Sequence, residues 1–127
     1  MPPILFTPPQ NLTEVAHFDI PRVQTWGDGK KDAGYKELVR QCAGLTRDAG
    51  QGFAWFTFSI RCVVSQKRRR KLGPDVENIP KLIVDAFTGL LFPDDNLDYV
   101  RGVQVEAVFS PPEEEKAEVW IYAQPRD

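Results

Sequence analysis

The segment from Phe53 to Val64 constrains the fold most, because apolar side chains recur there at every second position. A period of two separates the side chains of an extended strand onto its two faces. One set is entirely apolar and consists of Ala54, Phe56, Phe58, Ile60, Cys62 and Val64. The pattern predicts a strand with one face in a hydrophobic core, and a second layer of structure has to cover that face.

Two further elements are predicted before this strand. Residues 15–20 alternate in the same way and predict a strand in which His17 points outward. Apolar residues at helical spacing predict an amphipathic helix over about residues 33–44, with Gly44 as its stop. Those residues are Tyr35, Leu38, Val39, Cys42 and Leu45.

A second helix is predicted after residue 76. Pro80 has no N–H and belongs in a first turn, so the helix should begin near Glu77 or Asn78. Its apolar face is expected to continue to Leu90 and to pack against the sheet. That face consists of Ile79, Leu82, Ile83, Ala86, Phe87 and Leu90.

The last third of the chain predicts two strands, near Val100–Phe109 and Ala117–Ala123, with Ser110–Lys116 as the turn between them. The order β-α-β-α-β-β implies an α/β or α+β fold in which two helices cover a mixed sheet. A length of 127 residues fits one domain over 1–127. Four prolines in residues 1–12 indicate an extended lead-in.

Charge is distributed unevenly along a chain whose formal net charge is only −2. Positive charge concentrates in the run Lys67, Arg68, Arg69, Arg70 and Lys71, which is able to hold phosphates. A turn-rich loop from Pro21 to Asp32 contains Lys30 and Lys31 as further candidate DNA contacts. A solvated loop is the alternative interpretation of the basic run.

Several functional classes find no support in the sequence. The single histidine, His17, is predicted to lie on a strand, so the sequence does not support a Ser-His-Asp or Cys-His catalytic arrangement. Cys42 and Cys62 lack the spacing of zinc sites and are interpreted as buried thiols. With no apolar stretch approaching ~20 residues and no signal peptide, we expect a cytoplasmic protein.

Carboxylates cluster around the second predicted helix. At ~100° per residue, Lys81 lies about 40° and Asp85 about 80° around the helix from Glu77. Asp75 stands two residues before Glu77 in the extended segment that leads into the helix. Asp94 and Asp95 follow where the chain returns from the helix.

Two interpretations of this cluster differ in their chemistry. An ordinary solvated face would hold ion pairs from Lys81 to Glu77 and Asp85, worth ~0.2–0.5 kcal/mol each. Clustered carboxylates repel one another unless a cation lies among them, however, and oxygen-only donors favour a hard ion such as Mg²⁺. Such an ion activates water and neutralises charge that develops on a phosphodiester.

The stretch of residues 67–100 resembles the RusA family of Holliday-junction resolvases. The family pattern is a basic run, then D-x-D-N-x-x-K-x-x-x-D-A, then a short connection to D-D. The matching residues here are Asp75, Glu77, Asn78, Lys81, Asp85, Ala86, Asp94 and Asp95. Glu77 departs from the pattern, which usually has Asp, and the longer side chain moves the carboxylate by about one C–C bond.

The resemblance implies both an activity and the residues that carry it. Asp75, Glu77 and Asp95 would be the Mg²⁺-binding catalytic carboxylates, with Asp94 a further candidate ligand, Mn²⁺ a possible substitute ion and Lys81 assisting. The implied protein is a homodimer that resolves four-way DNA junctions by paired phosphodiester hydrolysis. The alternatives are a non-catalytic branched-DNA binder on the same fold and a plain interaction domain.

Overall fold

A computed structural model describes residues 12–24, 29–65, 79–110 and 115–126 of the chain. Their strands and helices follow the predicted order β-α-β-α-β-β. The elements are β1 (Thr13–Ile20), α1 (Gly29–Ala43), β2 (Phe53–Ser65), α2 (Ile79–Asp85), β3 (Val100–Ser110) and β4 (Lys116–Pro125). A short 3₁₀ helix, Arg47–Gly50, lies between α1 and β2.

The four strands form one mixed sheet in the order β1-β4-β2-β3. β4 runs antiparallel to both β1 and β2, whereas β3 runs parallel to β2. Ile60 of β2 shows the arrangement, since it pairs with Val119 of β4 on one side and Val105 of β3 on the other. β3 and β4 are therefore not neighbours, although they are consecutive in the chain. Most of the turn predicted between them, residues 111–114, lies outside the described residues.

The core lies on the face of the sheet that the alternation in β2 predicted. Phe56, Phe58, Ile60, Cys62 and Val64 are all buried. The neighbouring strand contributes side chains with no exposed surface, namely Ala117, Val119, Ile121 and Ala123. Helix α1 packs on β1 and on α2 and adds its own buried residues to this core.

Helix α1 begins four residues earlier than the sequence predicted. Gly29–Ala43 is helical, so Lys30 and Lys31 lie in its first turn and not in a loop. The early start has a visible cause, because buried Asp32 accepts a hydrogen bond from Gln24 at 3.0 Å and anchors the first turn. The predicted stop at Gly44 is confirmed, with a positive φ of 63° and a bond from its N–H to the Arg40 carbonyl.

Helix α2 is shorter than its apolar pattern predicted and ends at Asp85. The predicted start near Glu77 or Asn78 lies outside the described residues. The N–H of Ala86 still bonds to the Leu82 carbonyl, but the next backbone bonds shorten to i−3, as from Phe87 N–H to the Val84 carbonyl at 3.1 Å. Phe87 packs in the core, where its ring centroid lies 5.9 Å from that of Phe58. Gly89, which has a positive φ, then turns the chain.

The structure is thus a single small α+β domain with a four-stranded mixed sheet and two helices. The outward position of His17 is confirmed, and its imidazole contacts Glu118 at 2.7 Å. Cys62 is fully buried as predicted, whereas Cys42 is only half-buried. Among the described residues, no helix is long and apolar enough to cross a membrane. The extended lead-in predicted for residues 1–12 falls almost wholly outside the described part.

Candidate functional site

Helix α2 and the loop that follows it bring together three of the residues singled out by sequence. Lys81 is exposed on the helix, and Asp85, one turn later, is its half-buried last residue. Asp95 comes from the loop that leads back to β3. The Asp85 and Asp95 side chains lie close enough to interact, although ten residues separate them in the chain.

The Asp85–Asp95 pair is a carboxyl–carboxyl contact. Burial raises the pKa of Asp85 above its ordinary value, and the hydrogen bond and charge of Asp95 raise it further. Lys36 and Lys81 act in the opposite direction through their positive charge. Two ionised carboxylates repel when they lie close together, and a shared proton or a bound cation relieves that repulsion.

Arg40 of α1 fixes the end of the helix that carries Asp85. Its Nε donates to the carbonyl of Ala86 at 2.6 Å. This carbonyl is among those that a helix end leaves without an internal partner, and a cation is the favourable group to place there. The two helices are therefore tied together directly beside the carboxyl pair.

Asp94 has a different role from its neighbour Asp95. Its Oδ1 accepts the N–H of Asp95 at 2.8 Å, and its Oδ2 accepts from the Asn96 side chain at 3.4 Å. Asn96 in turn accepts the N–H of Asp98 at 3.0 Å. Such local bonds are typical of a turn built on Asx side chains. They orient the loop so that Asp95 is the residue that reaches Asp85.

A groove opens between α2 and the start of β3, next to the carboxyl pair. It encloses about 380 Å³. Lys81 and Asp95 are part of its lining, and β3 adds Arg101 and Val103. The candidate site therefore consists of a carboxyl pair, a lysine beside it and an adjoining groove with mainly apolar walls.

The other predicted site residues fall into two groups. Asp75, Glu77 and Asn78 lie outside the described residues, as does the basic run Lys67–Lys71. Lys30 and Lys31 are exposed in the first turn of α1.

Sequence reasoning missed Lys36 and Arg101. The only sequence signal for Lys36 was its place on an amphipathic helix, and that helix could have packed in several orientations. No sequence pattern indicated Arg101, because the pairing of β2 with β3 is what brings it to the groove.

The donor chemistry of the pair is compatible with a hard divalent ion, because both groups are carboxylates. Within residues 12–24, 29–65, 79–110 and 115–126, however, no group of three or more His, Cys, Asp or Glu side chains is placed to hold a metal. The pair alone supplies two carboxylates. A complete site would need further ligands beside the pair.

Fold and site define a small α+β protein with a carboxyl pair at a helix end and a groove beside it. No protein-family model matches this chain, and no curated protein does either.

Proposed function

We propose that this protein is a Mg²⁺-dependent endonuclease of the RusA type, which acts as a homodimer on four-way DNA junctions. One observation carries the proposal. The fold places Lys81, Asp85 and Asp95 together, and these are three of the residues in the motif that resembles the family. Asp85 and Asp95 are ten residues apart in the sequence, and the effect of Asp95 on the pKa of Asp85 supports their being parts of one site.

The roles of the described residues follow from their contacts. Asp95 is exposed in the loop and is the carboxylate that a metal would reach. Asp85 is a positioning residue, since its hydrogen bond holds the Asp95 carboxyl in place. Lys81 brings a positive charge to the groove beside them, suited to orienting a phosphate or stabilising charge that develops on it.

The remaining parts of the proposed site rest on the sequence alone, because their residues lie outside the described part of the chain. Asp75 and Glu77 would add carboxylate ligands beside Asp95, and Lys67–Lys71 would hold the flanking phosphates. When bound, Mg²⁺ supplies an activated water and neutralises negative charge on the phosphodiester. Lys36 and Lys81 reduce the repulsion that the ionised carboxylates would otherwise experience.

A nicking assay tests the proposal. The full-length protein is incubated with a synthetic four-way junction and with linear duplexes of the same sequence, in Mg²⁺, Mn²⁺ or EDTA. We expect paired nicks in the junction only, and only with a divalent ion. Asp95→Asn should lower the cleavage rate by at least about a hundredfold and leave junction binding nearly unchanged.

Asp98→Asn is the matched control, because it makes the same charge change three residues later in the same exposed loop. It should cleave like the wild type. Tight junction binding without nicking at any divalent ion would favour the alternative, a non-catalytic branched-DNA binder. Equal binding of branched and linear DNA would overturn both.

A further inference from the structure

The open groove beside the carboxyl pair is large enough to hold a small ligand. Its volume of about 380 Å³ falls within the ~300–1,000 Å³ typical of small-molecule pockets. Buried Val84 and Val100 line it, together with Leu97 and Val103, whose exposed fractions are 78% and 44%. Apolar side chains that face water in a concave surface gain free energy when a ligand covers them.

Two cations border these apolar walls. Lys81 lines the groove from α2, and Arg101 lines it from β3. Arg101 is the extra residue of a β-bulge, since Phe56 pairs with Val100 and the next residue, Thr57, pairs with Gly102. A bulge re-aims the side chain that it leaves unpaired.

The Arg101 side chain is held in this orientation by two contacts. Its guanidinium lies 5.3 Å from the centre of the Trp55 ring, and its Nε donates to the Leu97 carbonyl at 3.1 Å. The hydrogen bond uses Nε, so the Nη groups are the ones to donate to an anion. A fixed guanidinium loses little entropy when it binds a phosphate.

We propose that this groove binds one unpaired nucleobase of a DNA strand, with the adjoining phosphate at Lys81 and Arg101. This inference rests on the proposed function, because it takes DNA as the ligand. A nucleotide matches the surface, since it joins a flat, largely apolar ring to an anionic group.

An unpaired base is the expected occupant for an energetic reason. Removing a base from a duplex costs a few kcal/mol in lost stacking and pairing, and the cost is least where the base is already unpaired. A base beside a branch point or in a bulge therefore enters the groove most readily. Such a site would contribute to recognition of branched DNA without reading its sequence.

The test uses two duplex probes in EDTA, one with a single bulged 2-aminopurine and one with an abasic residue at that position. We expect the wild type to bind the 2-aminopurine probe about tenfold more tightly by fluorescence anisotropy. The emission of 2-aminopurine should change on binding. Val103→Asp, which puts negative charge into the groove, should abolish both the preference and the emission change.

Val108→Asp is the matched control, because Val108 lies on the opposite face of β3 and is similarly exposed, at 49%. It should bind both probes like the wild type. Leu97→Ser tests the same groove at a side chain that is 78% exposed, so the substitution should cost little stability. It should weaken the preference for the 2-aminopurine probe even if Val103→Asp does not fold.

Equal binding of the two probes by the wild type would overturn the inference, as would failure to bind either probe or an unchanged preference in both groove variants. The proposed function fails separately. A preference for the unpaired base without Mg²⁺-dependent nicking of a junction would leave the groove site standing and remove the nuclease activity.

Discussion

Asp85 and Asp94 show how two acidic residues of one motif acquire different roles from their immediate contacts. Asp94 is occupied by hydrogen bonds within its own turn. Asp85 instead meets another carboxyl and becomes harder to ionise. The difference arises from local geometry and desolvation, because the two side chains are chemically identical.

The Asp85–Asp95 contact predicts a pH-dependent stability. The pKa of Asp85 is raised from its ordinary value of 3.8, so the folded state binds this proton more tightly than the unfolded state. The resulting stabilisation is complete below the unfolded pKa and is lost as the pH rises through the folded pKa. At neutral pH the ionised group therefore weakens the fold.

Asp85→Asn should consequently be more stable than the wild type at neutral pH. We expect a gain below about 1 kcal/mol, because the pair is partly solvated. The gain should shrink as the pH falls toward about 3.5. Urea unfolding in EDTA across this pH range measures it. A constant difference at every pH would contradict the assignment.

At the scale of the elements, the 3₁₀ helix before β2 packs closely against the chain that follows α2. A Cβ added at Gly50 would lie 2.5 Å from the carbonyl oxygen of Leu91, which is closer than side-chain atoms approach backbone. Gly34, within α1, has no atom within 4 Å of the corresponding position. The two glycines are thus present for different reasons.

Alanine substitutions at these glycines should have opposite effects. Gly50→Ala should destabilise the fold by about 1–3 kcal/mol, because the backbone of Leu91 has to move. Gly34→Ala should stabilise it by about 0.5–1 kcal/mol, because alanine is the better residue in an open helix position. Urea midpoints of the two variants test this. A stabilising Gly50→Ala would mean that the contact with Leu91 is not made.

At the scale of the whole molecule, the strand nearest the C-terminus occupies the middle of the sheet. β4 lies between β1 and β2, and β3 forms an edge. Ile121 on β4 has no exposed surface, whereas Val108 on β3 is 49% exposed. Central and edge positions should therefore contribute unequally to stability.

Two truncations test this unequal contribution. Ile121→Ala should cost about 2–5 kcal/mol, the range for an isoleucine removed from a packed core. Val108→Ala should cost less, about 1 kcal/mol or below, since about half of the side chain stays in contact with water. The free energy of unfolding in urea measures both. Similar losses would contradict the strand order β1-β4-β2-β3.

Much of the fold could be predicted because local patterns determine local structure. The alternation in β2, the helical spacing in α1 and the stop at Gly44 all depend on neighbours within a few residues. The end of α2 could not be predicted in this way. Ala86 and Phe87 continue a helical pattern and are both buried, but core packing of Phe87 and the turn at Gly89 end the helix first.

The candidate site could likewise be predicted only in part from the sequence. The motif identified Lys81, Asp85 and Asp95 as residues of interest, because their types and spacing are readable in one dimension. Their convergence, and the entry of Lys36 and Arg101, depended on how helices pack and strands pair. The sequence predicts a loop at Lys30 and Lys31, because the bond from the Gln24 side chain to Asp32 that anchors α1 has no signature in the hydrophobic pattern.

The sequence by itself therefore determined the order of the strands and helices, the buried face of β2 and the acidic motif around α2. Only the tertiary structure decided that β4 separates β1 from β2, that Asp95 rather than Asp94 meets Asp85, and that a groove adjoins them. The reason is physical. Periodicity and propensity act between residues near in sequence, whereas strand order and carboxyl contacts depend on side chains that meet only after the chain has folded.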